Sequence, residues 1–158
     1  KCEEGQTLDI EIPSMMEETS EDAVEKVELS EGSEHIVKML NSGDGGQMIF
    51  EPAVIKVSVG DTVHFKAIDA AHNSVSVDGM VPSGAASWAS QLSQDISVTL
   101  DTEGVYVYQC DPHLIMAMVG VIQVGEAVNI DDIRNSASSY SANFLMNNDR
   151  LQSYLNQL

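Results

Sequence analysis

Residues 104–124 have the sequence GVYVYQCDPHLIMAMVGVIQV, in which two apolar stretches flank a short loop. The stretches at 105–109 and 119–124 are rich in Val, Ile and Tyr, the residues that favour β-strands. The loop between them contains three potential ligands: Cys110, His113 and Met118. Because a loop held between two strands can bring several side chains to one point, the segment predicts a strand–loop–strand unit with a binding site in its loop.

Short segments in which apolar and polar residues alternate recur upstream of this unit. They are punctuated by Gly, Pro, Asn and Asp at a spacing of about 8–12 residues, a pattern typical of β-sandwiches and barrels. The predicted strands are 35–40, 48–50, 54–59, 62–67, 73–77, 96–100, 105–109 and 119–124. We therefore predict an all-β sandwich domain over residues 35–125.

The hydrophobic period changes after Gly125. Five apolar residues fall on one face of a helix: Phe144, Leu151, Tyr154, Leu155 and Leu158. Ser141 is the predicted N-cap of this helix, and a shorter helix is predicted over 129–136. Residues 126–158 thus form a predicted appendix of two helices, whose apolar stripe should pack on the sandwich.

The composition excludes several classes of partner. The chain has 25 Asp and Glu against 7 Lys and Arg, and its formal net charge is −18. Such a chain is repelled by nucleic-acid phosphates and by anionic membrane surfaces. No apolar run approaches the roughly 18–20 residues that span a bilayer. We therefore predict neither nucleic-acid binding nor a transmembrane segment.

The acidity is concentrated in residues 1–34, which contain 12 of the acidic residues and have a formal charge of −10. This segment has no aromatic residue and few bulky apolar ones, so we predict a mostly disordered acidic tail. Cys2 is a candidate lipid anchor at the start of this tail, and the alternative is an unpaired thiol. Because the chain begins at Lys1 rather than Met, we expect a processed or trimmed form.

The three loop side chains form the pattern C-x2-H-x4-M, which offers a soft thiolate, an imidazole and a soft thioether. This donor set suits copper, and a second imidazole would complete a His2Cys site with a weak axial Met. His72 is the favoured candidate, because it lies at the start of a predicted strand, directly before polar Asn73. His64 lies within a predicted strand, and His35 lies at the junction with the tail.

Other chemistries fit the sequence less well. Zinc does not normally bind Met, and a Cys–His hydrolase needs a base beside the nucleophile and an oxyanion hole, for which no motif is visible. The glycine-rich stretch SGDGG at 42–46 lacks the Lys-Ser/Thr of a phosphate-binding loop, so it predicts a hairpin turn. A copper carrier or storage protein would use the same ligand types, and Met15 and Met16 weakly favour that alternative.

Three stretches closely resemble the pseudoazurins, a family of type 1 (blue) copper proteins with the Greek-key cupredoxin fold. They are EHIVKMLNSGDGGQMIFEPAVIKVSVGDTVHF at 34–65, AHNSVSVDGMVPSGA at 71–85 and GVYVYQCDPHLIMAMVGVIQVG at 104–125. The resemblance extends over about residues 34–158, with the two C-terminal helices included. It implies one type 1 copper per chain, electron transfer without catalysis, and four metal ligands: His72, Cys110, His113 and Met118.

The resemblance also implies supporting roles around the ligands. Asn73 is expected to tie the two ligand loops together, although an ordinary turn cap is the alternative. Pro112 is expected to stiffen the loop and to remove one N–H donor near Cys110. One edge of the His113 ring is expected to face solvent, within an apolar docking surface. Its expected members are Met48, Met80, Pro112, Leu114, Ile115 and Met116, of which Met48 and Met80 could instead fill the core.

The partners of the family are periplasmic redox proteins such as copper nitrite reductase and c-type cytochromes. The resemblance therefore implies a periplasmic monomer with transient redox partners. Pseudoazurins often have a ring of lysines, whereas residues 35–158 here have a formal charge of −8 and three lysines: Lys38, Lys56 and Lys66. This charge predicts a basic patch on the partner. The alternative is that the acidity reflects a high-salt habitat.

Overall fold

The computed structural model describes residues 26–43 and 46–158. In chain order the strands are β1 (Glu34–Gly43), β2 (Gly46–Glu51), β3 (Val54–Val57), β4 (Thr62–Ala67), β5 (Val75–Ser76), β6 (Ile96–Thr99), β7 (Gly104–Gln109) and β8 (Val119–Val124). The helices are α1 (Ile130–Tyr140) and α2 (Arg150–Leu155), with short 3-10 segments at Asp111–Met116 and Ser141–Asn143.

The first sheet has the strand order β2-β1-β4-β6. β1 and β2 are antiparallel, and Gly43 lies opposite Gly46 at the end of their ladder. This pairing confirms the hairpin predicted for the stretch SGDGG, of which Asp44 and Gly45 lie outside the described residues. β1 is parallel to β4, and β4 is antiparallel to β6.

The second sheet has the strand order β3-β8-β7-β5. β7 and β8 are antiparallel and pair from Gly104 opposite Val124 to Gln109 opposite Val119. β3 is parallel to β8, and β5 is antiparallel to β7. The predicted strand–loop–strand unit is therefore confirmed. Because its two strands lie at the centre of the sheet, both ends of the ligand loop start from rigid positions.

Two hydrophobic cores hold these layers together. The core of the sandwich contains Phe50, Phe65 and Tyr108, whose rings pack edge to face. The other core lies where β7 and β8 meet the helices, and Val107 and Leu151 are fully buried in it. The structure thus confirms the predicted β-sandwich and the packing of the helical appendix on it.

The helices of the appendix differ from the prediction in their bounds. Ser141 is not the N-cap of a long helix, because it ends α1 and begins a 3-10 segment. Phe144 is extended, and α2 begins only at Arg150. Backbone hydrogen bonds of the intervening linker go to the ligand loop, with Leu145 N donating to Ile115 O at 2.7 Å. That contact replaces the helical bond that the apolar periodicity predicts.

Most of the predicted acidic tail lies outside the described residues, as do Cys2, Met15 and Met16. Residues 27–30 lie alongside β3, where Ser30 N donates to Lys56 O at 2.8 Å. The disorder of the tail and the domain boundary after residue 34 remain predictions. None of the helices in the described part of the chain has the length and apolarity to cross a bilayer.

Candidate metal centre

The ligand loop is closed by backbone hydrogen bonds between its candidate ligands. Cys110 follows the last residue of β7, and Met118 precedes the first residue of β8. Cys110 N donates to Met118 O at 2.9 Å, and Met118 N donates to His113 O at 3.2 Å. Pro112 lies in the first turn of the 3-10 segment between them. The sequence from 110 to 118 is therefore folded back on itself, which brings all three candidate ligands to one end of the sandwich.

Two of the candidate ligands are directly preceded by an alanine whose backbone is in the left-handed region. Ala117 has φ 60° and directly precedes Met118, and Ala71 has φ 69° and directly precedes His72. Non-glycine residues adopt this conformation at a cost, and it persists where the surroundings hold it. Ala71 N donates to Ser93 Oγ at 2.8 Å, which is one such restraint.

The structure brings His72, Cys110 and His113 together. Cys110 Sγ lies 3.7 Å from His72 Nδ1 and 3.4 Å from His113 Nδ1. The three candidate donor atoms all lie within 4.8 Å of one another. His72 and Cys110 are fully buried, whereas His113 is half-buried. This is the convergence that the sequence predicts.

The other two candidate histidines lie in different surroundings. His64 is half-buried and hydrogen-bonds Ser97 and Glu34, both of which are exposed. His35 lies 2.9 Å from Asp61 Oδ2 in a buried pair. Neither belongs to the cluster around Cys110, so the structure favours His72 as the second imidazole.

Met118 belongs to the same buried core as Cys110 and is fully inaccessible to solvent. The cluster therefore offers a thiolate, two imidazoles and an adjacent thioether in a site with little exposure. These residues fit a soft, redox-active metal such as copper, because soft sulfur donors together with imidazole select that ion.

Asn73 joins the two ligand loops, as the resemblance implies. Its Oδ1 accepts a hydrogen bond from Asp111 N at 2.8 Å, and its Nδ2 donates to Ser90 O at 3.2 Å. The residue after the first imidazole is thereby bonded to the residue after the thiol. A relative shift of the two loops would break this contact.

Asn41 is a residue of the site that the sequence analysis missed. Its Oδ1 lies 2.8 Å from His72 Nε2, on the far side of the ring from Cys110, and its own N donates to Asp69 Oδ2 at 2.7 Å. Asn41 is near the end of β1, 31 residues before His72. The only signal that could have indicated it is the position of a polar residue at the end of a strand next to the site.

Burial dominates the electrostatics of the cluster. It raises the pKa of the Cys110 thiol, and the N–H groups of Asn73 and His113 act in the opposite direction. Burial also lowers the pKa of His72, and the nearby His113 lowers it further. Both effects disfavour charge on the protein's own groups. A bound cation would compensate for the charge of a buried thiolate.

Residues 37–125 match the family described as copper binding proteins, plastocyanin/azurin family. The chain belongs to this family. Pseudoazurin from Methylorubrum extorquens is 43% identical over 90 residues, which cover 57% of this chain and 61% of that protein. Pseudoazurin from Paracoccus pantotrophus is 39% identical over 93 residues, which cover 59% of this chain and 64% of that protein.

The fold agrees with this membership. The crystal structure of native pseudoazurin from Hyphomicrobium denitrificans aligns with a TM-score of 0.71 at 39% identity, covering 79% of this chain and 98% of that one. The chain spans about three fifths of the length of the curated pseudoazurins that it matches. These findings confirm the cupredoxin fold and the pseudoazurin resemblance. They also confirm copper as the metal of this cupredoxin, at a type 1 site.

The residues expected at the docking surface of this cupredoxin divide into two groups. Five of them reach the surface: Pro112 is exposed, Ile115 is 51% exposed, and Met48, Leu114 and Met116 are half-buried. Met80 is only 2% exposed and packs in the core beneath the helices, so the structure supports the core alternative for this residue and excludes it from the surface. A methionine between a Gly and a Val gives no sequence signal that separates core from surface.

Proposed function

We propose that this protein is a single-electron carrier that holds one type 1 copper ion through His72, Cys110, His113 and Met118. The observation that carries the proposal is the cluster in which donor atoms of His72, Cys110 and His113 lie within 4.8 Å of one another in a member of a copper-binding family. Copper held there supplies one-electron chemistry between Cu(II) and Cu(I).

The chain's own residues hold the donors in place. The thiol and the thioether are linked through the bond from Cys110 N to Met118 O, and His113 is linked through the bond from Met118 N to its carbonyl oxygen. Asn73 fixes the loop that bears His72 to the loop that bears Cys110. Because these bonds resist movement of the donors, the protein discourages the rearrangement that a change of oxidation state would otherwise bring.

His113 is the proposed electron port. It is half-buried, whereas His72 and Cys110 are fully buried. We propose that a redox partner contacts the apolar surface around it, which consists of Met48, Leu114, Ile115 and Met116. Transient redox encounters of this kind bury less than about 1,200 Å².

The resemblance to pseudoazurins and the charge of the chain support the remaining proposals. The protein acts as a periplasmic monomer, exchanging electrons with transient partners such as c-type cytochromes and copper nitrite reductase. Its formal charge of −18 favours partners with a basic patch. A lipid tether at Cys2 is a proposal about residues outside those that the structure describes.

A copper carrier or storage protein is the alternative function, and the burial of His72 and Cys110 argues against it because exchange requires access to the metal. One experiment separates the two. The copper-loaded protein is reduced and reoxidised through several cycles in the presence of a Cu(I) chelator. We expect the visible band to return fully in each cycle. Stepwise loss of the band to the chelator would support the carrier instead, and Cys110→Ser provides a control that cannot show the band.

A further inference from the structure

We propose that Arg150 is a positioning residue for the copper ligand loop, an inference that rests on the proposed function. Arg150 is the first residue of α2, and its guanidinium donates to carbonyl groups of two distant segments. Nη1 lies 3.0 Å from Met48 O and 3.2 Å from Ala117 O, and Nη2 lies 3.3 Å from Gln47 O. One side chain from the C-terminal helix thus fastens the ligand loop to β2.

Two of the three residues whose carbonyl groups are bonded have a left-handed backbone. Met48 has φ 50° and Ala117 has φ 60°. Residues with a side chain keep this conformation only where their surroundings hold it. Ala117 directly precedes Met118, and Met48 belongs to the proposed docking surface. The guanidinium therefore acts at two backbone positions that would otherwise relax. Ala117 adjoins the proposed ligand Met118, and Met48 packs against the core that contains Cys110 and Met118.

The surroundings of Arg150 are built for this contact. The next residue, Leu151, is fully buried in the core beneath the second sheet, which fixes the start of α2. At Gly46 an added Cβ would lie only 3.3 Å from Nη2, so a side chain there would crowd the guanidinium. The group is planar, always charged and able to donate several hydrogen bonds in fixed directions. It can therefore bond both segments at once.

Removal of the guanidinium should loosen the loop beside Met118 without removing any copper ligand. Ala117 would lose the bond to its carbonyl oxygen, and its left-handed conformation would become easier to leave. Because Met118 is the next residue in the chain, its backbone would also become more mobile. Arg150 would then act through the ligand loop rather than through any contact with the metal.

Arg134 provides a matched control. It is also an arginine of the appendix, and it donates to Asn156 Oδ1 at 3.0 Å and to Leu155 O at 3.2 Å. Arg134→Ala therefore removes the same charge and a similar number of bonds, but none to the ligand loop. If Arg150 had only a structural role, Arg150→Ala and Arg134→Ala would each change the stability of the protein and leave the properties of the copper site unchanged.

The experiment compares Arg150→Ala, Arg150→Lys and Arg134→Ala in the copper-loaded full chain. For Arg150→Ala we expect a changed ratio of visible bands, a shifted reduction potential and about tenfold faster copper release to a chelator, as the loss of supporting contacts commonly produces. Arg150→Lys should show values of these three readouts between those of Arg150→Ala and the wild type, because an ammonium lacks the planar, forked arrangement of N–H donors. Arg134→Ala should match the wild type in all three readouts. In the metal-free protein, Met118 N–H should exchange faster with solvent in Arg150→Ala only.

A rescue variant tests the backbone argument. Glycine adopts a left-handed conformation at little cost, so Ala117→Gly should restore part of the spectrum in the Arg150→Ala background. If Arg150→Ala does not fold, the lysine variant gives the same comparison. The inference would be overturned if the Arg150 variants had the visible spectrum, reduction potential and Met118 N–H exchange rate of the wild type. It would also be overturned if Arg134→Ala changed these quantities as much as Arg150→Ala does. Absence of the visible band from the wild-type protein would instead overturn the copper assignment itself.

Discussion

Asn41 Oδ1 lies 2.8 Å from His72 Nε2. An amide oxygen only accepts hydrogen bonds, so this contact places the ring proton on Nε2 and leaves the lone pair on Nδ1. Nδ1 is the nitrogen that faces Cys110 Sγ at 3.7 Å. Asn41 therefore selects the tautomer and the ring orientation that a metal ligand requires.

Replacement of Asn41 by Ala should weaken copper binding by about tenfold, because the imidazole loses the partner that orients it. Competition with a copper chelator measures this change. Asn148→Ala is a suitable control, since that side chain bonds Phe144 O within the linker between the helices. Equal affinities for the wild type and Asn41→Ala would show that Asn41 has no part in positioning the ligand.

Gly120 is required by the ring of Tyr108. A Cβ at position 120 would lie 2.3 Å from Tyr108 Cζ and Oη, and the ring is held by Phe50 at a centroid distance of 4.7 Å and by Phe65 at 4.9 Å. Gly120→Ala should lower the free energy of unfolding by about 1–3 kcal/mol through overpacking. Urea denaturation measures the change.

Tyr108→Phe is the complementary variant. Within the described residues Tyr108 Oη has no hydrogen-bond partner, so its removal should leave the free energy of unfolding unchanged or higher. A wild-type stability for Gly120→Ala, or a large loss for Tyr108→Phe, would contradict this account of the core.

The buried pair of His35 and Asp61 should make stability depend on acidity. The hydrogen bond from His35 lowers the pKa of Asp61 below its ordinary value, opposed by burial and aided by the N–H of Ser58. Since the carboxyl is more acidic in the folded protein, its stabilising effect is complete above the unfolded pKa. The effect is then lost as the pH falls through the lower, folded value.

Asp61→Asn provides the comparison for this effect. Urea denaturation from about pH 6 to about pH 3 should show a difference in stability from the wild type that is constant at first and shrinks at the acid end. A difference that stays constant over the whole range would show that Asp61 does not titrate differently in the folded and unfolded chains.

The acidic surface should affect the rate of electron transfer. With a basic c-type cytochrome as the partner, the second-order rate constant should fall as ionic strength rises, because salt screens the attraction between the two proteins. Stopped-flow measurements over a series of salt concentrations test this. A flat profile would contradict steering and favour the alternative that the acidity reflects a high-salt habitat.

Residue patterns predicted the sandwich because apolar and polar residues alternate along its strands. Such alternation places the apolar side chains on one face of a sheet, which must then be buried. β4 and β8 have the predicted bounds, and Cys110, His113 and Met118 lie in a connection whose ends those patterns fix. His72 is 38 residues before Cys110, and two signals indicated it: its position at the start of a predicted strand and the resemblance to a family. Local patterns therefore predicted the strands and favoured His72, and the resemblance implied the full set of four ligands.

The contacts that sequence reasoning missed join residues far apart in the chain. Asn41 and Arg150 act on groups that are 31 and 33 residues away, and polar side chains at such positions are usually solvated. Ser141 was predicted as an N-cap because it precedes an apolar stripe. That stripe is buried as expected at Phe144 and Leu151, although Leu145 N and Met146 N, which lie between them, donate to Ile115 O in the ligand loop.

The central claim is that the thiolate of Cys110 binds one copper ion together with two imidazoles and a thioether. Optical and paramagnetic resonance spectra during titration with Cu(II) test it most directly, with Cys110→Ser as the control. We expect an intense thiolate-to-copper band that saturates at one copper per chain in the wild type and is absent from Cys110→Ser. A wild-type protein without that band, or a serine variant that retains it, would contradict the account.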